Sequence, residues 1–568
     1  MENLIKRDMA LKRSGIVILD NSDSEASKVF SANDIKILLI VPKYNFSKEK
    51  FYHYTFPIGL GYVSAILKKS GYKVDCLNLN HLYGEVKELM KEALNKENYD
   101  FVCTGGNDFI FHTVKTMIDV VKGHSSKPKF ILAGHILTHE PELMLEELKP
   151  DFGIISEGED TILELINCVK TNNDLREVAG VIYYNDSELV RTKKRVPIKN
   201  LDSIPFPDYE GFGFDEYLEY IPCNLNYFNN TVDLPRTYAF LGSRGCAFNC
   251  TFCWHSENYR WRSIDNIMQE MRHVVKRYKI NNLNIVDDCF SIKQERVYEF
   301  CEKIKELSDE VGWPIKWTCQ ILVHTVDKKL LHIMKDAGCE IISYGFESFS
   351  PIILRSMMKP ITPQQIDKAF HATLQAKIGI QAHFIFGDTN ETVETAKQTL
   401  EYWINNANGQ IGLGFIQPYP GSIMYQRCIE KGVINDKLDY IKSQMDPHNC
   451  INMTNNISDG ELMRFRTGML IAFSRYVKFV RPISIEKTKK NLYAVKVRCP
   501  FCKEKIIYKN CYIGNKLTFG FNLVCRSCYM RFFAVSLLQK IGYRYYSKTR
   551  AIRTYYKKLL RLNRKEGI

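Results

Sequence analysis

Three thiols punctuate the stretch Cys246-Ala247-Phe248-Asn249-Cys250-Thr251-Phe252-Cys253, at spacings of four and three. Closely spaced thiolates suit a soft iron–sulfur centre. A [4Fe–4S] cluster ordinarily takes four cysteines, so three from one short loop leave one iron open to another ligand. An open iron beside a reducible cluster is a place for chemistry. A second set follows a different arithmetic. Cys499-Pro500-Phe501-Cys502 and Cys525-Arg526-Ser527-Cys528 are two C-x2-C knuckles with 22 residues between them. Four such thiolates predict a closed, tetrahedral, structural zinc site. Strands are expected between the knuckles at Glu504–Tyr508 and Leu517–Phe519. A second iron–sulfur cluster is the other centre this donor set admits, and Cys511 is then a spare thiol.

Elements to position the first set can be read on both sides of it. Ile35-Lys36-Ile37-Leu38-Leu39-Ile40-Val41 is a short apolar run ended by Pro42, which predicts a buried strand. Further strands are expected at Tyr72–Leu77, Phe101–Thr104, Phe130–Ala133 and Phe152–Ile155. Helices are expected at 60–70, 85–96 and 141–148. Strands alternating with helices at this interval indicate a doubly wound parallel sheet, whose ligands sit beyond the strand carboxyl ends. Those ends carry Gly105-Gly106, Gly134-His135 and Glu157-Gly158-Glu159, and glycine lets a backbone approach a large flat ligand closely. A hairpin is expected over 179–194 and a proline-marked linker at Ile204–Tyr209.

Around the three thiols the pattern repeats. Strands are expected at Thr237–Leu241, Leu283–Asp288, Ile315–Cys319, Glu340–Tyr344, Ile380–Ile385 and Ile411–Phe415, with helical runs between, including 264–278. Six β/α units make a partial barrel, which presents its chemistry at the strand carboxyl ends. The three-thiol loop follows the first of these strands. Trp254, Trp317, Tyr419, His255 and His383 are pocket candidates, although core packing is the commoner use of such residues.

The C-x3-C-x2-C spacing, with Phe252 before the last cysteine, resembles the motif of the radical S-adenosylmethionine (SAM) enzymes. Other stretches extend the resemblance. Gly345-Phe346-Glu347-Ser348 resembles the G-x-E-S stretch that holds the methionyl amino group of SAM, and Asp287-Asp288-Cys289-Phe290 the D-D-x-F stretch. Gly387-Asp388-Thr389-Asn390-Glu391-Thr392 stands for G-x-P-G-E-T, with the proline and second glycine replaced. Pro418-Tyr419-Pro420-Gly421-Ser422 is similar to P-x-P-G-T.

Upstream, Pro57-Ile58-Gly59-Leu60, Gly134-His135-Ile136-Leu137-Thr138 and Glu157-Gly158-Glu159 resemble the cobalamin-binding domain preceding the barrel in one large subfamily. The D-x-H-x-x-G sequence that supplies a lower cobalt ligand is absent after the first strand, so the resemblance implies no histidine there. His81 has half the pattern, but after the second strand.

The resemblance covers roughly residues 35–440. It implies a [4Fe–4S] cluster on Cys246, Cys250 and Cys253, with SAM at the fourth iron and cobalamin as a second cofactor. Contacts to SAM would come from Phe252, Gly345, Glu347, Ser348, Asp287 and Gly387. Contacts to cobalamin would come from Gly59, Gly105, Gly134, His135, Thr138, Glu157 and Gly158. The implied reaction is methyl transfer to an unactivated carbon of a small molecule or biosynthetic intermediate, driven by an external one-electron donor such as flavodoxin or ferredoxin. Non-methylating oxidation, cyclisation or rearrangement is the alternative within enzymes. RNA modification is a second enzymatic alternative, and a non-catalytic metal-bearing scaffold is the reading outside enzymes.

Composition bounds the rest. The chain of 568 residues should hold several domains. Its expected fold class is α/β: a doubly wound parallel sheet, a partial (β/α)6 radical SAM barrel and a small zinc-ribbon-like module. The expected divisions are an extension (1–33), the cobalamin-binding-like domain (34–200), a linker (201–232) and the barrel (233–430). A helical region (431–490), the ribbon (491–532) and a basic tail (533–568) follow. Eighteen cysteines, many in apolar surroundings, suit a reducing cytoplasm better than a disulfide framework. No secretory signal or transmembrane segment is read. The net charge of +14 permits an acidic substrate, nucleic acid or an anionic surface without selecting one. Arg544–Lys565 holds nine basic residues and no acidic one, interleaved with tyrosines; it reads as a solvated tail or a phosphate-facing helix.

Overall fold

A computed structural model describes residues 32–44, 48–51, 54–254, 258–443 and 451–543. Residues 1–31 of the expected extension, His255 and the basic stretch 544–565 lie outside the described residues. The chain divides into two compact units, Met1–Tyr220 with Asp436–Asn449 and Ile221–Asn435 with Cys450–Ile568.

The first unit is a seven-stranded sheet in the order β2-β1-β3-β4-β5-β6-β7. Its strands are β1 (Lys36–Val41), β2 (Lys73–Asn78), β3 (Phe101–Gly105), β4 (Lys129–Ala133), β5 (Phe152–Ile154), β6 (Val181–Asn185) and β7 (Glu188–Arg191). β1 to β5 are parallel, and the strand order reverses between β1 and β3. Ile37 to Val41 are almost wholly buried, which is why β1 reads as a continuous apolar run and not an alternating one. The expected hairpin is β6–β7, turning at Asp186 (φ 52°), and it joins the sheet antiparallel at β5.

The proline-marked segment is no loose spacer. Asp208 accepts from Ser64 Oγ and Lys68 Nζ, both at 2.6 Å, and so fastens to helix Ile58–Lys69. The expected linker is shared between the units, changing at Tyr220. The expected helical region 431–490 is shared too. Helix Lys437–Ser443 returns to the first unit, where Ile441 joins the apolar core and Lys437 pairs with Glu140 at 3.0 Å.

The second unit holds six parallel strands in the order β15-β14-β13-β12-β11-β8. They are β8 (Thr237–Phe240), β11 (Asn282–Ile285), β12 (Lys316–Gln320), β13 (Cys339–Glu347), β14 (Gly379–Phe386) and β15 (Gly412–Phe415). Each pairs with its neighbour in sequence, the arrangement of a partial barrel whose free edges are β8 and β15. A minor ladder pairs β9 (Ser243–Arg244) with β10 (Arg260–Trp261).

Beyond helix Asp459–Tyr476 lie β16 (Phe479–Val480), β17 (Ser484–Lys489), β18 (Leu492–Arg498), β19 (Lys505–Tyr512), β20 (Gly520–Val524) and β21 (Arg531–Val535). They form two three-stranded sheets, β17-β18-β19 and β16-β21-β20. The strand expected at Leu517–Phe519 is displaced to β20, because pairing with β21 begins at Gly520 and leaves Leu517 68 % exposed. This module has an apolar core of its own, in which Val495, Val497, Tyr508, Leu523 and Phe532 are wholly buried.

Candidate active site

The three-thiol loop leaves the carboxyl end of β8, and its base is pinched by the β9–β10 ladder. Asp287, just past β11, fixes the loop's first turn. Its Oδ1 accepts the Gly242 N–H at 2.6 Å and its Oδ2 accepts the Ser243 hydroxyl at 2.7 Å. Arg296 Nη2 donates to the carbonyls of Gly242 and Arg262, each at 2.8 Å. Arg262 in turn pairs with the buried Glu270, which also accepts from the Tyr238 hydroxyl. Burial pushes the Asp287 carboxyl up to about 6, against the opposing pull of Ser243, Gly242 and Arg296. Both Asp287 oxygens are therefore engaged by the loop it shapes.

Thr251, between the second and third cysteines, is held on both sides. Its N–H donates to the Met357 carbonyl at 3.0 Å, and its carbonyl accepts from the Met424 N–H at 2.8 Å. Met357 follows helix Pro351–Ser356, and Met424 lies in helix Ile423–Glu430, capped by Ser422 of the Pro418–Ser422 segment. Ser356 beside Met357 donates to Asp388 at 2.5 Å, and Asp388 also accepts the Asn390 N–H. Gly387 (φ 103°) donates its N–H to Glu391 at 2.6 Å, and burial pushes that carboxyl up to about 8. The altered Gly387–Thr392 turn thus reaches the cysteine loop through Ser356. Cys250 is buried, Cys246 half-buried and Cys253 exposed, with Phe252 half-buried between the last two. Phe248 packs edge-on against His324.

The Gly345–Ser348 stretch separates into two roles. Glu347 follows a register shift in β13, has a positive φ of 59°, and pairs with Lys359 at 3.1 Å. A Cβ on Gly345 would stand 2.4 Å from both Glu347 Oε1 and Lys359 Nζ, so glycine is what admits this pair. Burial works against the Lys359 charge, but Glu347 and Cys250 outweigh it and hold the ammonium above its ordinary range. Ser348 is 1 % exposed and faces away: its Oγ lies 3.1 Å from Thr399 Oγ1 and accepts the Ser350 N–H.

Two residues beside the thiols escaped the motif reading. Lys359 had no pattern to mark it. Cys289, inside the quoted Asp287–Phe290 stretch, lies with its sulfur 3.5 Å from that of Cys246. Of the pocket candidates, Trp317 is core, donating to the Ala337 carbonyl at 2.7 Å.

In the first unit the singled-out residues gather at the carboxyl ends of β3, β4 and β5. Gly134 (φ 88°) lies so close to the neighbouring loop that a Cβ would come within 2.6 Å of the Gly106 nitrogen, and one on Gly105 within 3.0 Å of the Ala133 carbonyl. His135 stacks on His139, which contacts Asp108 at 3.0 Å. Thr138 Oγ1 accepts the Ser156 N–H, and Glu157 accepts the Ile198 N–H. Gly158 precedes helix Glu159–Thr171. Gly59, in the helix after β1, has no atom within 4 Å of a would-be Cβ. This edge is a low shelf of glycine turns beside the β1/β3 reversal, a fit for a flat ligand. His81 is a core residue: its Nε2 lies 2.6 Å from the Tyr54 hydroxyl, and burial lowers it to about 4.

The donor sets differ in scale. Cys499, Cys502, Cys525 and Cys528 keep all their sulfurs within 4.8 Å of one another, and are the one such group among the described residues. Cys499–Cys528 and Cys502–Cys525 are 3.7 and 3.6 Å apart. Four metal–sulfur bonds of about 2.3 Å in a tetrahedron give an edge of about 3.8 Å. That fits a single ion. Cys246, Cys250 and Cys253 do not form such a group.

Comparison with known proteins agrees with this geometry. Residues 241–402 match the radical SAM superfamily and residues 47–166 the B12 binding domain. An uncharacterized methyltransferase of Pyrococcus horikoshii is 26 % identical over 409 residues, 70 % of this chain and 84 % of the relative. The anaerobic magnesium-protoporphyrin IX monomethyl ester cyclase of Rubrivivax gelatinosus is 26 % identical over 425 residues, covering 73 % and 74 %. In fold, the radical S-adenosylmethionine methyltransferase TsrM from Kitasatospora setae, solved with cobalamin and a [4Fe–4S] cluster, superposes with a TM-score of 0.55. That match has 14 % identity and covers 69 % of this chain and 75 % of that one. Among the described residues no helix is long and apolar enough to cross a membrane.

Proposed function

This chain belongs to the radical SAM enzymes that carry a B12-binding domain, and from that premise we propose a cobalamin-dependent methyltransferase acting on an unactivated carbon of a small molecule. Cys246, Cys250 and Cys253 would hold a [4Fe–4S] cluster, leaving one iron open to SAM. Bound together, these groups supply one-electron chemistry on SAM and a methyl donor. The protein's own part is placement. Asp287 and Arg296 set the first turn of the loop, and Met357 and Met424 fix Thr251 between its second and third cysteines, so the backbone that carries the thiols is held in place. That double clamp at the carboxyl end of β8 is the observation that carries the reading.

Glu347 is the carboxylate offered to the SAM ammonium, with Lys359 as its partner until SAM arrives. The shelf formed by Gly105, Gly134, His135, Thr138, Glu157 and Gly158, with Gly59 on the helix after β1, would receive cobalamin. The four C-terminal thiolates hold zinc. A low-potential donor of the flavodoxin or ferredoxin kind, in a reducing cytoplasm, completes the system.

The test is anaerobic turnover with SAM carrying an isotopic methyl label. Label recovered in a product, lost in the Cys246→Ala/Cys250→Ala/Cys253→Ala variant, supports the reading. SAM cleavage without label transfer moves the enzyme to oxidation or cyclisation, the chemistry for which similarity to the cyclase speaks. No SAM cleavage at all refutes the enzyme reading.

A further inference from the structure

The partial barrel has two free edges, β8 and β15, and the metal-binding module reaches the amino-terminal side of both. On one side is the segment leading into β8. Arg526, between Cys525 and Cys528, donates to the Val232 carbonyl at 3.0 Å and to Asp233 at 3.3 Å, and stacks over Tyr508. Asn224 exchanges two hydrogen bonds with the backbone of Tyr512, at 3.0 and 2.8 Å, and Cys223 donates its N–H to the Asn510 carbonyl.

On the other side is the segment leading into β15. Gln410 exchanges two hydrogen bonds with the backbone of Arg531, at 2.6 and 3.0 Å. The Arg531 guanidinium, 8 % exposed, spreads over the Gln410 carbonyl, the Gly409 carbonyl and Gln381 Oε1. Between the two edges, Val524 packs beside Gly379 at the start of β14, and Lys335 Nζ sits 3.6 Å over the Tyr529 ring.

Three of the residues that reach across, Arg526, Tyr529 and Arg531, lie on the second knuckle or directly after it. The two knuckles share one geometry. Cys499 and Cys525 each accept a hydrogen bond from the residue four positions on, Lys503 and Tyr529, and each donates to the residue five on, Glu504 and Met530. Lys503 and Tyr529 both adopt positive φ, 67° and 59°. Holding two non-glycine residues there costs energy that a bound ion offsets by pinning the flanking cysteines. Arg526 and Tyr529 ride on the second knuckle, and Arg531 follows it directly.

We propose that the ion on Cys499, Cys502, Cys525 and Cys528 makes this module a strap joining the two free edges of the barrel at the end opposite the three-thiol loop. The proposal rests on the zinc reading of those thiolates. It makes the ion a determinant of how far the open barrel can spread, and it assigns the ribbon a closing role away from the strand carboxyl ends where substrate is handled.

The experiment is hydrogen–deuterium exchange on the whole protein as purified, with metal analysis, before and after zinc is withdrawn by a chelator. Peptides covering 230–240 and 407–416 report the two edges, and peptides covering 36–41 and 101–105 serve as controls. The expected result is about one zinc per chain, and at least about tenfold faster exchange at both edges on withdrawal with the controls unchanged. Arg526→Ala combined with Arg531→Gln should keep the zinc yet speed exchange at the same edges, which separates the strap from the folding of the ribbon itself. Zinc present, with withdrawal felt only within 495–535, overturns the strap and leaves the zinc reading standing. Iron in place of zinc, or no metal, overturns the zinc reading on which the strap depends.

Discussion

Asp287 offers the sharpest test of how the cysteine loop is held. Asp287→Ala strands the Gly242 N–H and the Ser243 hydroxyl, two buried donors that cost about 1 to 3 kcal/mol each when unsatisfied. Burial outweighs Ser243, Gly242 and Arg296 together at this carboxyl, so relief from burying the charge offsets part of that cost and a net loss of about 1 to 3 kcal/mol follows. Asp287→Asn keeps one acceptor and should lose about half of that.

The two variants also differ from the native chain in pH dependence. Burial raises this carboxyl to about 6, above its unfolded value of about 3.9. The folded state therefore holds the extra proton between those values, and stability falls as pH rises through that window. The native chain should lose about 1 kcal/mol from this group between pH 5 and 7, a slope that Asp287→Asn abolishes. The assay is urea unfolding followed by tryptophan fluorescence. All five tryptophans, 254, 261, 313, 317 and 403, lie in the second unit, so the signal reads the barrel alone. An Ala variant within about 1 kcal/mol of the native chain, or an Asn variant keeping the pH slope, would refute the argument.

Three further outcomes are expected. Gly345→Ala displaces flexible side-chain ends and not backbone, so stability should move by less than about 1 kcal/mol. SAM affinity by calorimetry should nonetheless fall about tenfold; unchanged affinity would remove the Glu347–Lys359 pair from the SAM site. Gly134→Ala drives a Cβ into the Gly106 backbone at a positive φ, and should destabilise the first unit by about 3 kcal/mol or more with loss of retained corrinoid. Far-ultraviolet circular dichroism and absorption after desalting read both effects. In the Cys246→Ala/Cys250→Ala/Cys253→Ala variant, iron should fall by about four per chain while zinc stays at about one, since the two donor sets are separate. Loss of both metals together would show that they are not.

Legibility followed how local the deciding force was. β1, β3 and β4 stand where their apolar runs predict, because a strand buried on both faces writes its burial directly into the chain. The barrel strands β8 and β11, buried at every position, were legible for the same reason. Helix Lys437–Ser443 was not, since its membership of the first unit depends on Ile441 and Lys437 finding partners about 300 positions away. β20 was misplaced because Leu517-Thr518-Phe519 has strand propensity while the ladder to β21 decides the register. At the site, Ser348 and Asp287 make contacts no motif announces, to Thr399 and to the turn that opens the cysteine loop. Lys359 has its position from packing that no spacing announces.

The central claim is that one chain carries both cofactors. The direct measurement is anaerobic reconstitution with iron, sulfide and hydroxocobalamin, followed by desalting, absorption spectroscopy and metal analysis. The account predicts about four cluster irons and about one cobalt retained per chain. A cluster retained with no corrinoid would contradict it.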